Sequence, residues 1–425
     1  MSFQTGLSGL NAASRNLDVI GNNIANANTT GMKASRTEFA SLVAATIGTG
    51  GGGNGAGIGV EVAAISQSFT QGNITITGNN LDVAINGAGF FQLKQPDGSA
   101  AYTRDGSFKL DKDGYLMTNS GANIMGYPTD PTTGKPTSAS IQALQLPTSA
   151  PIGANQTTAI VAEFNLDARA PLAAGVAAVP AVPAVPGPAS PAIPAIPATP
   201  RTTYGTSMTA YDSQGTAVPV TLYFERSAAG ATDEWEVYDS TTSTTPVATL
   251  IFDLDGKLTS PLPGATTLTI TTPSGVTPDI SATLDISKVT QYGSAFTVSN
   301  LTQDGYAPGE LVGMNIGQDG KITARYSNGE TQTNGQLALA DFRNAQGLTP
   351  GAGNTWIETF ASGQPVQGSP GQGKLGALRA GALEESNVDL TGELVNMMTA
   401  QRAYQANAQT IKTQDQIMTT LVNLK

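Results

Sequence analysis

The two ends of this 425-residue chain are patterned for α-helices, and the long stretch between them is patterned for β-strands. At the N-terminus apolar residues recur every three or four positions, which places them on one face of a helix. The C-terminal stripe is longer, and its alternating spacings of four and three residues average to the coiled-coil period. The stripes consist of Leu7, Leu10, Ala13, Leu17, Ile20, Ile24 and Ala27, and of Leu390, Leu394, Met397, Gln401, Tyr404, Ala408, Ile411, Asp415, Met418 and Val422.

Neither terminal helix has a strand-rich core next to it in sequence. We therefore expect the two helices to pair with each other and then with further copies of the chain. The alternative is that each helix packs into the core of its own domain. Gly31 is expected to end the first helix. Asp389 or Thr391 caps the second, with Asn387 as a further candidate.

Composition excludes much of the common chemistry of enzymes. The chain has no histidine and no cysteine, which removes histidine bases, thiol nucleophiles, disulfides and the usual zinc ligands. We expect no cofactor and no metal. The net charge of −11 does not indicate a nucleic-acid binder. Acidic and basic residues balance in 1–30 and in 386–425, so the negative charge lies between the ends. Neither a cleavable signal peptide nor a membrane span is predicted.

The middle of the chain alternates apolar and polar residues between turn signals, which is typical of antiparallel strands. The glycine-rich run at 48–59 lacks a surrounding βαβ unit and a P-loop lysine, so we interpret it as a connector rather than a nucleotide site. The Asp-Gly sequences at 111–114 and 253–256 lack a full set of calcium ligands and are predicted to be hairpin turns. Nine prolines in 171–200 favour an extended insertion. The sequence indicates no function for this insertion.

Two terminal segments carry a family resemblance. Residues 8–33, SGLNAASRNLDVIGNNIANANTTGMK, resemble the N-terminal signature of bacterial flagellar axial proteins, which build the rod, the hook and the hook–filament junction. Residues 385–390 and 397–408 resemble the C-terminal counterpart. Between them, INGAGFF at 85–91, YTRDGSF at 102–108 and the strands of 201–285 are similar to flagellar hook proteins in particular.

The resemblance implies a structural subunit of the hook and not an enzyme. Such a subunit assembles into a flexible helical tube that transmits torque from the rod to the filament, like a universal joint. The implied partners are copies of the chain, the rod and hook–filament junction proteins, the hook cap and the flagellar type III export apparatus, with no nucleic acid and no membrane insertion. The implied location is extracellular, after export without a cleaved signal. Another axial protein, from the distal rod or the junction, and a secreted adhesin are the alternatives.

The predicted fold class is multidomain α+β, with the terminal helices paired as an inner coiled-coil-like domain and mainly antiparallel all-β domains nested between them. The expected domains are 1–30 with 386–425 (helical polymerisation), 31–71 with 363–385 (connector), 72–145 with 286–362 (β-rich middle) and 146–285 (inserted outer β). No catalytic, cofactor-binding or metal-binding residue is expected. The predicted polymerisation interface consists of Leu7, Leu10, Ala13, Leu17, Ile20, Ile24, Leu390, Leu394, Met397, Tyr404, Ile411, Met418 and Val422. Gly50, Gly51, Gly52 and Gly53 are the predicted flexible connector.

Overall fold

The computed structural model contains two compact units. The first unit comprises Met1–Ser149, Val312–Arg325 and Thr331–Lys425, and the second comprises Ala150–Leu311 and Tyr326–Glu330. The residues that the structure describes are 3–43, 57–131, 133–147, 151–172, 205–227, 233–241, 243, 245–261, 265–270 and 278–423. Within those ranges, no helix has the length and apolar character needed to cross a bilayer.

The elements follow one another in the nested order that the sequence predicts. The first part of the chain forms α1 (Phe3–Ala25), β1 (Ser35–Val43), β2 (Gly57–Gln67), β3 (Ile74–Ile76), β4 (Val83–Asn86), β5 (Phe90–Lys94), β6 (Ala100–Thr103), β7 (Lys109–Leu110), β8 (Leu116–Met117), β9 (Asn123–Tyr127) and β10 (Gln142–Ala143). The middle part forms β11 (Ala159–Asp167), β12 (Gly205–Tyr211), β13 (Ala217–Arg226), β14 (Glu234–Tyr238), β15 (Ala248–Phe252), β16 (Leu258–Ser260), β17 (Ala265–Ile270), β18 (Ile280–Asp285), β19 (Thr290–Tyr292) and β20 (Thr297–Gln303). The last part forms β21 (Leu311–Ile316), β22 (Lys321–Tyr326), β23 (Thr331–Leu337), β24 (Leu339–Asp341), β25 (Thr349–Gly351), β26 (Thr355–Ile357), β27 (Val366–Gly368), β28 (Ala377–Ala380), β29 (Ala382–Glu384) and α2 (Leu390–Asn423).

Both helices have identifiable ends. At α2 the carboxylate of Asp389 accepts a hydrogen bond from the Thr391 N–H at 3.0 Å, which confirms Asp389 as the cap among the candidates. The first helix ends at Ala25, earlier than the predicted stop at Gly31, because residues 26–30 form turns instead. Gly31 has φ +68°, and a Cβ atom there would lie 2.6 Å from the Arg104 carbonyl carbon. Gly31 is therefore the point at which the chain passes tightly against the β-structure.

Strands from the two ends of the first unit pair with each other. The antiparallel pairs β3–β29 and β4–β28 join the segment after α1 to the segment before α2. A larger sheet runs in the order β21-β22-β23-β9-β5-β6-β26-β25, and β24 links β5 to β27. The hairpin β1–β2 stands apart as a two-stranded ribbon. This pairing holds the segment after α1 next to the segment before α2.

Two apolar clusters fill the first unit. One surrounds Phe91 and Phe108, whose rings meet edge to face at 4.9 Å. The other surrounds Phe90 and Trp356, whose ring centroids lie 5.5 Å apart. Because Phe90 and Phe91 are adjacent on β5, their side chains point to opposite faces and each strand face contributes to its own cluster.

The second unit is a sandwich of two five-stranded sheets. One has the order β17-β18-β11-β19 with β20 also on β11, and the other has the order β12-β13-β14-β15-β16. Phe164 from the first sheet and Phe224 from the second pack in one core with ring centroids 4.4 Å apart. The expected outer domain ended at residue 285, whereas here β19 and β20 pair with β11 and extend the unit to residue 311. Among the described strands the pairing is mainly antiparallel, with β11 parallel to β18 and β19, so the predicted fold class is confirmed.

The two Asp-Gly sequences are turns, as predicted. Gly114 has φ +81° and donates to the Asp111 carbonyl, and Gly256 has φ +75° and donates to the Asp253 carbonyl. The Asp253 carboxylate accepts the N–H groups of Asp255 and Lys257 and so closes its own turn. Across the described ranges, no group of three or more acidic side chains is close enough to hold a metal ion.

Gly106 in the YTRDGSF segment provides a test of the first unit. A Cβ atom at residue 106 would lie 1.7 Å from the Val83 carbonyl oxygen, a contact that only backbone movement relieves. We expect Gly106→Ala to lower the free energy of unfolding by about 3 kcal/mol. Gly313→Ala is the matched control, because nothing lies within 4 Å of the added atom, and it should change stability by less than about 1 kcal/mol. Urea unfolding measures both, and equal effects would contradict the assigned packing.

Candidate functional site

The two terminal helices lie side by side and run in opposite directions. Gly6 near the start of α1 faces Ile411, and Gly9 faces Asn407. At the other end of the pair, the Asn23 amide donates to the Glu393 carboxylate at 3.2 Å. This antiparallel pair is defined here as the helical pair. It confirms that the ends of the chain associate with each other.

The two helices meet through small side chains. A Cβ atom at residue 6 would lie 3.1 Å from Ile411 Cγ1, and one at residue 9 would lie 2.9 Å from the Asn407 side-chain oxygen. The buried residues of α1 are Gly6, Ala12, Val19, Ile20 and Asn23. Of these, the apolar stripe includes only Ile20. Gly6, Gly9 and Ala12 recur every three residues in the sequence. This spacing of small residues could have indicated the close contact between the two helices.

A second neighbour explains why other α1 residues are buried. The ribbon β1–β2 also packs on this helix: the Val60 N–H donates to the Ser8 hydroxyl at 3.3 Å. The Asn23 side chain, fully buried, donates to the Ser35 carbonyl at 2.7 Å and accepts from the Ser35 N–H at 2.9 Å. The helix α1 therefore buries residues on more than one of its faces. The single apolar stripe predicted from the sequence accounts for only one of these faces.

The predicted interface residues differ in exposure within one chain. Ile20 is buried, Leu10, Ala13, Leu17, Ile24, Met397 and Ile411 are half-buried, and Leu7, Leu390, Leu394, Tyr404 and Met418 are exposed. Val422 belongs to α2, but its side chain lies outside the described residues, as do Gly50, Gly51, Gly52 and Gly53. Five of the twelve described side chains in the predicted set are therefore apolar groups that the chain itself leaves in water.

The exposed apolar side chains of α2, which lie on more than one side of the helix, are together called its outer face. These residues are Leu390, Leu394, Val395, Met398, Tyr404, Ile417 and Met418. Met398 is 53% exposed and Met418 is 56% exposed. With 34 residues against 23 in α1, α2 also continues past the start of its partner. An apolar surface of this extent on a helix indicates an interaction site.

Where the helices leave the β-structure, one buried carboxylate holds two buried cations. Glu384 Oε1 accepts from Lys33 Nζ at 2.6 Å, and Glu384 Oε2 accepts from Arg104 Nη1 at 3.0 Å. The Lys33 and Glu384 side chains are fully buried and that of Arg104 is 5% exposed. We call these three residues the ion cluster. They come from the segment after α1, the YTRDGSF segment and the strand that leads to α2.

Backbone groups supply further hydrogen bonds to the ion cluster, although the buried Arg104 Nε has no hydrogen-bond partner. Lys33 Nζ also donates to the Thr70 carbonyl at 2.7 Å, and Arg104 Nη2 donates to the Gly87 carbonyl at 2.8 Å. The Gly72 N–H donates to Glu384 Oε1 at 2.9 Å. Such hydrogen bonds offset part of the cost of burying the three charges. The cluster therefore ties five separate segments of the first unit together.

Asn387, three residues after Glu384, forms a second set of hydrogen bonds between separate segments. Its side-chain oxygen accepts from the Ala34 N–H at 2.7 Å, and its amide donates to the Ser68 carbonyl at 2.8 Å. The residue was a candidate cap for α2, but its side chain instead joins the segment after α1 to the end of the ribbon β1–β2. Together with Asn23 it fixes the base of the helical pair by amide hydrogen bonds.

Burial changes the protonation equilibria of both cations. It lowers the pKa of Lys33; Glu384 opposes this effect, and the positive charge of Arg104 adds to it. Burial also lowers the pKa of Arg104, although Glu384 and Asp341 stabilise its charge. The guanidinium carbon of Arg104 lies 5.5 Å from the centre of the Phe90 ring, which offers a further favourable contact. None of these three charged residues belongs to an apolar pattern, so periodicity gave no indication of them.

Replacing Glu384 with glutamine tests the ion cluster. Glu384→Gln leaves two buried cations without a counter-charge, and we expect the free energy of unfolding to fall by about 3–5 kcal/mol. Glu38→Gln is the control, since the Arg36–Glu38 pair is largely in water and its loss should not measurably change stability. Denaturant unfolding followed by circular dichroism measures both. Equal, small losses would contradict the structural role of the cluster.

The lowered pKa of Lys33 has a pH consequence. Between its folded-state pKa and the ordinary value of 10.5, the unfolded chain binds more protons at this residue than the folded chain does. The unfolding free energy of the wild-type chain should therefore increase with pH in that interval, relative to a Lys33→Met variant that lacks the group. Urea titrations of both chains across the alkaline range measure the difference. A difference that is constant or shrinks as pH rises would contradict the assignment.

Four segments of the chain match family descriptions. Residues 3–33 match "Flagella basal body rod protein", and residues 84–161 match "Flagellar hook protein FlgE/F/G D1 domain". Residues 165–306 match "Flagellar basal body protein FlaE D2 domain", and residues 379–424 match "Flagellar basal body rod FlgEFG protein C-terminal". The first and last matches cover the helical pair, with Lys33 and Glu384 inside them.

Similar proteins match along the full length. The chain is 40% identical to the flagellar hook protein FlgE of Salmonella typhimurium over 436 residues, covering all of both chains. It is 40% identical to the Escherichia coli protein of that name over 440 residues and 32% identical to the one from Treponema pallidum over 478 residues. A crystal structure of the Helicobacter pylori flagellar hook protein FlgE2 matches with a TM-score of 0.53 at 15% identity, over 73% of this chain and 100% of that one, which supports the fold. On these full-length identities, the chain belongs to the FlgE family of flagellar hook proteins.

Proposed function

We propose that this chain, a structural subunit of the bacterial flagellar hook, polymerises with copies of itself through its helical pair. In this proposal the polymer is a flexible helical tube that transmits torque from the rod to the filament. The observation that carries it is the outer face of α2, where apolar side chains lie in water in the single chain. Burying that face against neighbouring copies provides a driving force for assembly.

The chemistry of the helical pair supports reversible assembly. Each large apolar side chain that becomes buried contributes about 1.5–3 kcal/mol. Between them lie neutral polar residues such as Gln401, Gln405 and Gln409, which are also exposed. Because such a surface is less densely apolar than a protein core, neighbouring subunits can shift against each other as a curved tube rotates. The absence of net charge in 1–30 and 386–425 reduces repulsion between copies.

The ion cluster supplies the complementary property, which is stiffness within a subunit. Torque applied to the helical pair has to reach the β-structure through the segments at residues 33 and 384. Lys33 and Glu384 hold these segments together at 2.6 Å in a fully buried contact. We propose that flexibility resides between subunits, in the contacts of the helices, and that the base of the helical pair moves with the β-structure of the first unit.

Family membership places the chain in the hook, an extracellular structure of the flagellum, and the family is structural rather than enzymatic. We propose that the finer details inferred from the sequence also apply. These are contacts with rod and hook–filament junction proteins and with the hook cap, and export through the flagellar type III apparatus without a cleaved signal. The connector role of Gly50, Gly51, Gly52 and Gly53 belongs to the same proposal.

A charge on the outer face of α2 tests the assembly surface. Leu394 is 46% exposed in the single chain, so Leu394→Asp should leave the monomer folded. A buried unpaired carboxylate at a subunit contact is strongly unfavourable, and we expect tube formation to be abolished. Leu254→Asp makes the same change at a fully exposed residue of the second unit and is the matched control. Electron microscopy and sedimentation measure polymerisation. Normal tubes from Leu394→Asp would contradict this use of the outer face.

A further inference from the structure

The sulfur chemistry of this chain is confined to its methionines. The sequence has nine methionines and no cysteine. Peroxides oxidise the sulfur of thiols and thioethers, so in a chain without thiols the methionine thioethers are the target. Which methionine reacts first depends on how far its sulfur is exposed to solvent. Exposure therefore distinguishes the nine methionines as oxidation sites.

Two methionines are exposed among those that the structure describes. Met398 is 53% exposed and Met418 is 56% exposed. The other described methionines are half-buried: Met32, Met117, Met125, Met208, Met314 and Met397. Met1 lies outside the described residues. Both exposed thioethers therefore belong to the outer face of α2.

Met398 and Met418 are exposed for different reasons. Ile411 faces Gly6 of α1. Met418 follows Ile411 by seven residues, which returns to nearly the same side of a helix. It therefore lies on the side of α2 that faces α1, but beyond Phe3, where α1 begins. Met398 is rotated by about 140° from Ile411 and lies on the side turned away from α1. The two sulfur atoms thus sample two sides of one helix.

Oxidation converts these apolar side chains into polar ones. A peroxide transfers one oxygen atom to the methionine sulfur: the S–O bond forms as the O–O bond breaks. The sulfur is oxidised by two electrons, and the peroxide is reduced to water or an alcohol. The sulfoxide that results is polar. The exposed apolar neighbours Leu394, Val395 and Ile417 have no side-chain donor for its oxygen. Burying the sulfoxide among such groups is unfavourable.

We propose that Met398 and Met418 are modification sites at which oxidation by a peroxide stops a free subunit from assembling. The proposal rests on the proposed function, because it requires that the outer face of α2 becomes buried between copies. In the free chain both sulfur atoms are accessible and are converted to sulfoxides. In the polymer the same atoms are covered and keep their apolar form. Oxidation thereby excludes damaged subunits from assembly and spares the assembled ones.

Peptide mass spectrometry after hydrogen peroxide treatment tests the two sites. The free chain and the polymer receive the same dose, and the sulfoxide fraction of each methionine is followed with time. In the free chain, Met398 and Met418 should react several-fold faster than Met208 and Met314, which pack against the apolar clusters of the two units. In the polymer, both rates should fall several-fold. Equal rates at all four residues of the free chain, or unchanged rates in the polymer, would overturn the proposal.

The critical concentration for polymerisation tests the consequence of oxidation. Two sulfoxides per subunit should raise it about tenfold or more, because each polar group is buried without a donor. Treatment with methionine sulfoxide reductases, one for each sulfoxide epimer, should return it to the value of the untreated chain. An oxidised chain that assembles at the untreated concentration would show that the proposal is wrong.

Two double variants separate these sulfur atoms from the others. Met398→Leu with Met418→Leu removes the exposed thioethers and keeps apolar side chains of similar volume. Each variant is compared with itself before and after peroxide treatment, and for this one we expect no change in critical concentration. Met208→Leu with Met314→Leu is the matched control and should show the full peroxide effect of the wild-type chain. A peroxide effect that persists without Met398 and Met418 would contradict the assignment.

The outcomes separate this inference from the proposed function. If the untreated chain forms tubes and oxidation of both residues has no effect, the oxidation proposal is wrong and the polymer stands. If the untreated chain forms no polymer, the proposed function fails and this inference fails with it. Fast oxidation in the free chain, protection in the polymer and loss of assembly after oxidation together support both.

Discussion

A single buried carboxylate determines how the first unit is held together. Glu384 binds Lys33 and Arg104, and its own N- and C-terminal neighbours lead from a strand to α2. Short strand pairs, other hydrogen bonds and the packing of Leu378 also join these segments to the β-structure. A buried ionic contact adds little net stability over an apolar one, but it requires its partners in one arrangement. We infer that this arrangement, rather than added stability, is what the ion cluster provides.

The helical pair has the opposite character. Gly6 and Gly9 of α1 meet Ile411 and Asn407 of α2, and many of the larger apolar groups of α2 remain exposed. An isolated helix or helix pair with so little buried apolar area is only marginally stable in water. Contacts with other copies are then part of what stabilises it. This balance suits a subunit whose ends have to associate repeatedly with neighbours and still permit movement between them.

Local sequence patterns were sufficient to predict the terminal helices and the turns, but not the long-range strand pairing. The terminal helices, their association, the Asp389 cap and the Asp-Gly turns depend on local spacing and on residue type, and these predictions are confirmed. The interface residues chosen from the stripes stay a prediction, since a single chain shows only which of them it leaves exposed. The boundary of the outer unit was misplaced because β19 and β20 pair with β11, more than 120 residues earlier in the chain. Such long-range pairing leaves no local signal in either segment.

The sequence by itself determined the nested order of helix, strands and helix, the exclusion of histidine and cysteine chemistry, and the family resemblance. These follow from composition and from patterns that each segment carries alone. Only the tertiary structure decided that Gly6 and Gly9 allow the close contact between α1 and α2, and that Lys33, Arg104 and Glu384 share one buried site. Each of these depends on atoms from distant segments meeting within a few ångströms. Burial and pairing are properties of that arrangement, and no window of sequence contains them.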